Sequence, residues 1–468
     1  MLQTIFLYEW KLLLRNKMLI TALLLFTAIA CISVNKGVRY YNITKTEADT
    51  VRAGSKRAYA KLKLAFDTTD FSKPEEAKIE GVWMVDWTLW EYAIKQENPL
   101  SAISIGQNDI FPKIKRTRFA TEIFSGEQDE FKNPEQLLTG NLDLCYFVLF
   151  LFPLLFIAIS YNTASADKES GVQKLLATQG FGVKSITTAR VVFKWLISMF
   201  PFFVAGTVSY FILHNDENFI ASSFLEWMLI AALYAVFWLS LVLFIISLGF
   251  NSMINALTMV GLWLLLLVGI PGILNSWFQY KYPSNAQQQI TRLRDEKSKL
   301  YDLPLQEQKA FFKSSFPGLV VDTVKVTDND MKWYSVAMME LQKEQQVYNK
   351  IAENVTAQTA KEEQLFWINP IGGVMRAFTS VSGSSLQQQQ DFERHLMRFK
   401  EERASYLIAN HVSKKHFGKS EFAALPLYKP APAQKQSISK YLLPIILLTV
   451  LLAAGTLFKN KKNSNNLD

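Results

Sequence analysis

Cysteine is almost absent from this chain of 468 residues: Cys31 and Cys145 both fall inside apolar runs, so neither a disulfide framework nor a cysteine-based metal site is supported. Charge is also scarce, at 19% of residues against 50% hydrophobic, which is low for a soluble protein. The Gly-x-x-x-x-Gly-Lys-Ser/Thr phosphate loop is missing. Its nearest trace, Gly418-Lys419-Ser420, has Ser413 where the first glycine belongs, so the chain is not expected to hydrolyse ATP. Histidines number four. His411 and His416 are five apart, off a common helix face, and no Cys or carboxylate pair completes a ligand set with them or with His395, so no metal is expected. No nucleophile with a placed base stands out, and the centres of the apolar runs carry no charge of the kind that marks ion or proton paths. The formal charge of +9 is not arranged as a basic stripe interleaved with aromatics. Basic residues instead flank apolar runs, which favours contact with membrane lipid over nucleic acid.

What remains is a set of long apolar segments. Residues 18–35 are uncharged and long enough to cross a hydrocarbon core of about 30 Å. A cleavage site at Ala28-Ile29-Ala30-Cys31 is the competing reading, but the apolar run continues past it. Further spans are read at 143–162, with Pro153 inside, and at 191–213. Between Glu226 and Lys281 no residue is charged, which is too long for one helix and right for two, 227–250 and 255–278, broken at Asn251-Ser252. Gly269-Ile270-Pro271-Gly272 is expected to bend the second of these. A sixth span covers 441–458, followed by a basic tail, 459–468. Ahead of the first span, residues 1–17 place Phe6, Trp10, Leu13 and Leu14 at roughly helical spacing among Glu9, Lys11, Arg15 and Lys17, an amphipathic helix suited to a membrane surface.

Two polar regions interrupt the spans. Residues 36–142 carry a helix-favouring stretch, the cluster Trp83, Trp87 and Trp90, and turn signals at Pro99, Pro112 and Pro134; their length is near the minimum for a self-sufficient core. Residues 279–439 are Gln/Lys/Glu-rich and helix-favouring, with Ser384 or Ser385 able to cap a long helix bearing Phe392, Leu396, Phe399, Tyr406 and Leu407. Placing both termini in the cytoplasm puts the short basic loops inside, as the positive-inside bias requires, and both polar regions outside. The fold class expected is an all-α polytopic membrane protein with six transmembrane helices and two mainly helical extracytoplasmic domains.

That topology leaves one substantial cytoplasmic loop, 163–190. Asp167, Lys168 and Glu169 read as a helix start, where the macrodipole favours acids; Leu175 and Leu176 give an apolar ridge, and Gly180 and Gly182 a stop.

Glu169, Gly171, Leu175, Leu176 and Lys194 in this loop, with Glu9 and Arg15 before the first span, resemble ABC-2 type transporter permeases. The family usually has a Pro-containing turn where this chain has Thr178-Gln179-Gly180-Phe181. Pro99-Leu100-Ser101, the stretch from Ile105 to Pro112, Pro134, Gly140 to Asp143, Asn369-Pro370, Ser382 to Ser385, Asp391-Phe392, Arg398 and Asn410 resemble the subgroup of these permeases with large extracytoplasmic insertions. The resemblance runs in the family's order over nearly the whole chain. It implies the membrane subunit of an ABC transporter in a bacterial inner membrane, paired as a homodimer or heterodimer with a similar permease. Two copies of a separate ATPase would hold the ATP and Mg, and this chain no cofactor. It also implies a coupling helix seated on the ATPase through Asp167, Lys168, Glu169, Gly171, Leu175, Leu176, Gln179 and Gly180, with a second contact at Glu9 and Arg15. Two modes stay open: export of a substrate, and mechanotransmission, in which the external domains act on a periplasmic partner without transport.

Overall fold

The computed structural model describes residues 2–68, 85–86, 88–117, 142–178, 182–282, 286–317, 319, 327–413, 417–431 and 437–464. Helix α1, Leu2–Arg15, turns at Asn16 into α2, Lys17–Thr68, because the Asn16 side chain accepts the Leu19 N–H (3.1 Å) at the start of the second helix. A two-stranded antiparallel ribbon follows, β1 (Glu91–Ile94) with β2 (Ile114–Thr117), in the register Glu91 to Thr117. Next come α3 (Leu144–Glu169), the short α4 (Val172–Thr178), α5 (Val183–Leu213), α6 (Ala221–Ser247) and α7 (Ser252–Lys281). The second polar region holds α8 (Ala286–Leu300), α9 (Leu305–Ser315), α10 (Asp328–Gln364), α11 (Pro370–Val381), α12 (Leu386–Val412) and α13 (Lys419–Ala423). Helix α14, Ser439–Ser464, closes the described chain.

Six of these, α2, α3, α5, α6, α7 and α14, are long and apolar enough to cross a bilayer, the pattern of a polytopic all-α membrane protein. They are not equivalent. In α3 and α6, 61% of the most apolar window is buried inside the chain, against 11% in α7. Trp227, Tyr234 and Trp238 of α6 are among the largest fully buried side chains and form the centre of the main core. The break between α6 and α7 falls where expected: Asn251 caps α7 by accepting the Ile254 N–H (2.8 Å). A π turn over Leu265–Gly269 leads into the stretch where a bend is expected, and a second π turn, Phe147–Leu151, stands just before Pro153 in α3.

Three features go beyond the expected elements. Helix α2 continues unbroken past residue 35, where the first apolar run ends, for 52 residues in all, because residues 36–68 are as helix-compatible as they are polar and contain no proline. The helix-favouring residues after the fifth apolar run form two helices, α8 and α9, with Pro304 at the cap of the second. The second polar region builds one apolar cluster by itself, Phe312, Met331, Tyr334 and Leu341 with Ala404 and Ile408, and the two regions share two more. Leu62 and Phe66 at the end of α2 pack with Val85 and Leu89 against Leu407, Phe417, Phe422 and Leu425, and Ala93 of β1 packs on Phe392, Leu396 and Phe399 of α12.

Their caps are those of long helices under side-chain control. Thr327 and Asp330 form a capping box at α10, and Ser385 and Gln388 another at α12. The molecule thus has two ends: a loop end with α1, the α3–α5 connection and the α6–α7 turn, and an insertion end with everything else outside the spans.

Candidate functional site

At the loop end, α1 lays Phe6 and Trp10 edge-on against Phe193 of α5, with ring centroids 5.4 and 6.5 Å apart. This apolar contact brings Glu9 inward, where it is 5% exposed. An acid so placed needs a partner, and Arg190 of α5 supplies it: Nε donates to Glu9 Oε1 at 2.5 Å, and Nη1 to Asp167 Oδ2 at 2.5 Å. One guanidinium therefore joins α1, the end of α3 and the start of α5. One turn further along α5, Lys194 Nζ donates to the hydroxyl of the buried Thr163 (3.0 Å).

The neighbouring charges reach a fourth helix. Glu169 accepts from the Ser252 backbone N–H (2.8 Å) and hydroxyl (3.0 Å) at the N-terminus of α7, and Ser165 and Ser252 hydroxyls lie 2.8 Å apart. Lys168 Nζ donates to the Gly249 carbonyl (3.2 Å). Gly171, with φ of +76°, then reverses the chain into α4. The helix expected from Asp167 through Leu176 is therefore divided: Asp167, Lys168 and Glu169 lie in the helical turn Ser165–Glu169 that ends α3, and the short helix bearing Leu175 begins after Gly171.

On α4, Leu175 is 66% exposed and Leu176 half-buried. Gln179 and Gly180 lie outside the described residues. Arg15 is exposed at the last turn of α1 and does not join the cluster. The structure therefore gathers Glu9, Asp167, Lys168 and Glu169 at one end of the spans and leaves Arg15 aside. Arg190 and Ser252 were missed. The signal for Arg190 was present: Glu9 is the only acid before Glu47, and a lone acid on an apolar helix calls for a cation beside another apolar run.

At the insertion end the motif sets of the two polar regions meet each other. Asn98 Nδ2 donates to the Val381 carbonyl (3.2 Å), Gln107 N–H to the Ser384 carbonyl (2.9 Å), and the Ser384 hydroxyl to the Ser104 carbonyl (2.8 Å). Gly106 (φ +55°) and Gly383 (φ +72°) make the two tight turns of this clasp, and a Cβ on Gly106 would lie 2.6 Å from the Ser384 hydroxyl. Asp143 ties it to the spans by accepting from both Ile105 N–H (2.8 Å) and Tyr146 N–H (2.7 Å).

Beside the clasp lies a cavity of about 690 Å³, walled by Lys95, Glu217, Glu226, Arg394, Arg398 and Tyr428 among others. Lys95 is held by Asn108 Oδ1 (3.0 Å) and Gln389 Oε1 (3.2 Å). Burial pushes its ammonium down to about 8, the nearby Lys113 charge adds to this, and Glu97 and Glu393 oppose it. His395 shares a hydrogen bond with the Lys429 carbonyl (2.8 Å) and His411 packs on Tyr334, so these two are not grouped, and His416 lies outside the described residues.

Among known proteins, the profile of the domain of unknown function DUF3526 matches residues 285–431, from the start of α8 to beyond α13. No curated protein and no solved structure matches.

Proposed function

We propose that this chain is the membrane-spanning permease subunit of an ATP-driven transporter of the ABC-2 type, exporting a substrate with energy from a separate ATPase. The observation that carries the reading is the Glu9–Arg190–Asp167 cluster with the exposed Leu175 beside it. A partner seated on α4 would act, through Glu169–Ser252 and Arg190, on α1, α3, α5 and α7 at once. Coupling then requires the ATPase to favour one arrangement of these helices over another, since only a differential contact shifts an equilibrium. In this reading the loop end is cytoplasmic, the insertions are periplasmic, ATP and Mg sit on the partner, and a second permease completes the complex.

Mechanotransmission is the second reading, and α2 favours it. Its 52 residues make an unbroken rod of about 78 Å at 1.5 Å per residue. The rod joins α1 at one end to the shared core around Leu62 and Phe66 at the other.

The test is co-purification in detergent with the ATPase encoded nearest this gene, comparing wild type with Leu175→Asp/Leu176→Asp. Loss of ATPase from a permease that still elutes as a single folded species is expected. Unchanged binding and ATP turnover would remove α4 as the docking helix and the ABC reading with it.

A further inference from the structure

Three neighbouring apolar side chains are exposed at the insertion end: Trp367, Ile368 and Met375, at 58%, 56% and 49%. Trp367 ends the turn Leu365–Trp367, Ile368 follows it and Met375 lies on α11, while Ile371, Val374, Ala377 and Phe378 at i, i+3, i+6 and i+7 pack inward. Exposed patches of this kind on a folded surface mark an apolar contact.

The level at which α11 lies identifies that contact. Its inner face meets two spans, and on each it meets the first residue after the last charge. Phe378 packs at a tilt of 42° against Trp227 (centroids 4.6 Å apart), which follows Glu226 at the head of a charge-free run to Lys281. Gly373 lies against the Tyr441 carbonyl so closely that a Cβ would collide with it, and Tyr441 follows Lys440 at the head of the run to Lys459. Phe366 packs edge-on to Tyr441, 6.0 Å between centroids. The charges nearest the patch are neutralised in pairs, Arg376 with Glu362 (2.5 Å) and Lys440 with Glu363 (2.8 Å). A helix at the polar–apolar boundary of two spans, with Trp, Ile and Met outward, has the placement and composition of an interfacial element.

We infer that α11 and the turn before it lie in the bilayer interface at the insertion end, with Trp367, Ile368 and Met375 in contact with lipid. The segment braces the insertions on the membrane between α6 and α14. This needs only that the six helices cross a bilayer and is independent of the ATPase reading.

Spin labels test it. In the full chain with Cys31→Ala and Cys145→Ala, single Ile368→Cys and Met375→Cys variants are labelled in phosphatidylcholine/phosphatidylglycerol vesicles. Their accessibility to oxygen and to a water-soluble nickel chelate is compared with that of Val450→Cys, on the exposed face of α14, and Asn349→Cys, on the exposed side of α10. Ile368 and Met375 should favour oxygen over nickel, at values between the two controls. Nickel access equal to that at Asn349 places the patch in water and overturns the inference. Low access to both reagents means that protein covers it, and overturns it equally. Nickel access at Val450 would instead strike at the six-span reading itself.

Discussion

At the loop end Arg190 is shared between Glu9 and Asp167 with a fifth of its side chain still exposed, whereas at the insertion end Lys400 and Glu344 pair at 2.8 Å with 4% and 1% exposed. Also at this end, Lys113 and Glu97 pair at 2.6 Å with 8% and 10% exposed, and the fully buried Arg403 donates to the carbonyls of Pro426 (2.9 Å) and Leu89 (3.2 Å). Deep pairs repay their desolvation only when geometry and partners are fixed, so they join parts that stay together. The shallow cluster joins four helices through single side chains, next to turns at Gly171 and Gly249, and its partners can part at less cost. The insertions behave as one body on the spans, and the loop end as a set of separable contacts.

The largest expected effect comes from breaking the deep end. Lys400→Met leaves Glu344 buried without its cation and should cost about 3–5 kcal/mol, read as a fall in the midpoint of insertion unfolding. Adding Glu344→Leu should restore most of it. If the single variant melts like wild type, the pair does not hold the insertions together.

A pH series sharpens the same contrast. The Lys95 ammonium titrates at about 8 in the folded chain, below its ordinary 10.5, so its stabilising contribution is present above 10.5 and lost as pH falls through 8. Wild type should therefore gain on Lys95→Met between pH 8 and 10.5, with a limiting slope of about 1.4 kcal/mol per pH unit. A difference that stays flat across this window would contradict the burial of a charged Lys95.

Arg190→Met tests the shallow end. Leaving Glu9 buried without a donor should cost about 1–3 kcal/mol, localised to α1. Proteolysis near Arg15 should accelerate while insertion unfolding stays at its wild-type midpoint. The smallest effect belongs to Leu175→Asp, where two-thirds exposure limits the change in stability to about 0.5 kcal/mol. A thermal shift well beyond that would show Leu175 to be part of the folded core, and so unfit as a docking residue.

Much of the site was legible in part. Glu9, Asp167, Lys168 and Glu169 stood out as charges beside apolar runs, yet the single helix expected from Asp167 to Gly180 is divided at Gly171. Helix propensity does not distinguish the last turn of one helix from the first turn of the next when the reversal depends on one glycine at positive φ. The clasp between residues 98–107 and 381–384 was legible only as two unrelated motifs. Hydrogen bonds between residues about 280 positions apart leave no periodicity for a reader to find.

What the sequence determined by itself was the number of spans and their approximate places, since a charge-free run of bilayer length has few other soluble fates. It also determined the break at Asn251 and narrowed the cap of α12 to Ser384 or Ser385, because capping is local. The tertiary structure alone decided that the two insertions share two apolar clusters, that Arg190 gathers Glu9 and Asp167, and that α11 lies level with Trp227 and Tyr441. Each of these depends on where distant segments meet, and the free energy that selects among such meetings comes from packing and desolvation in three dimensions, not from any local preference of the chain.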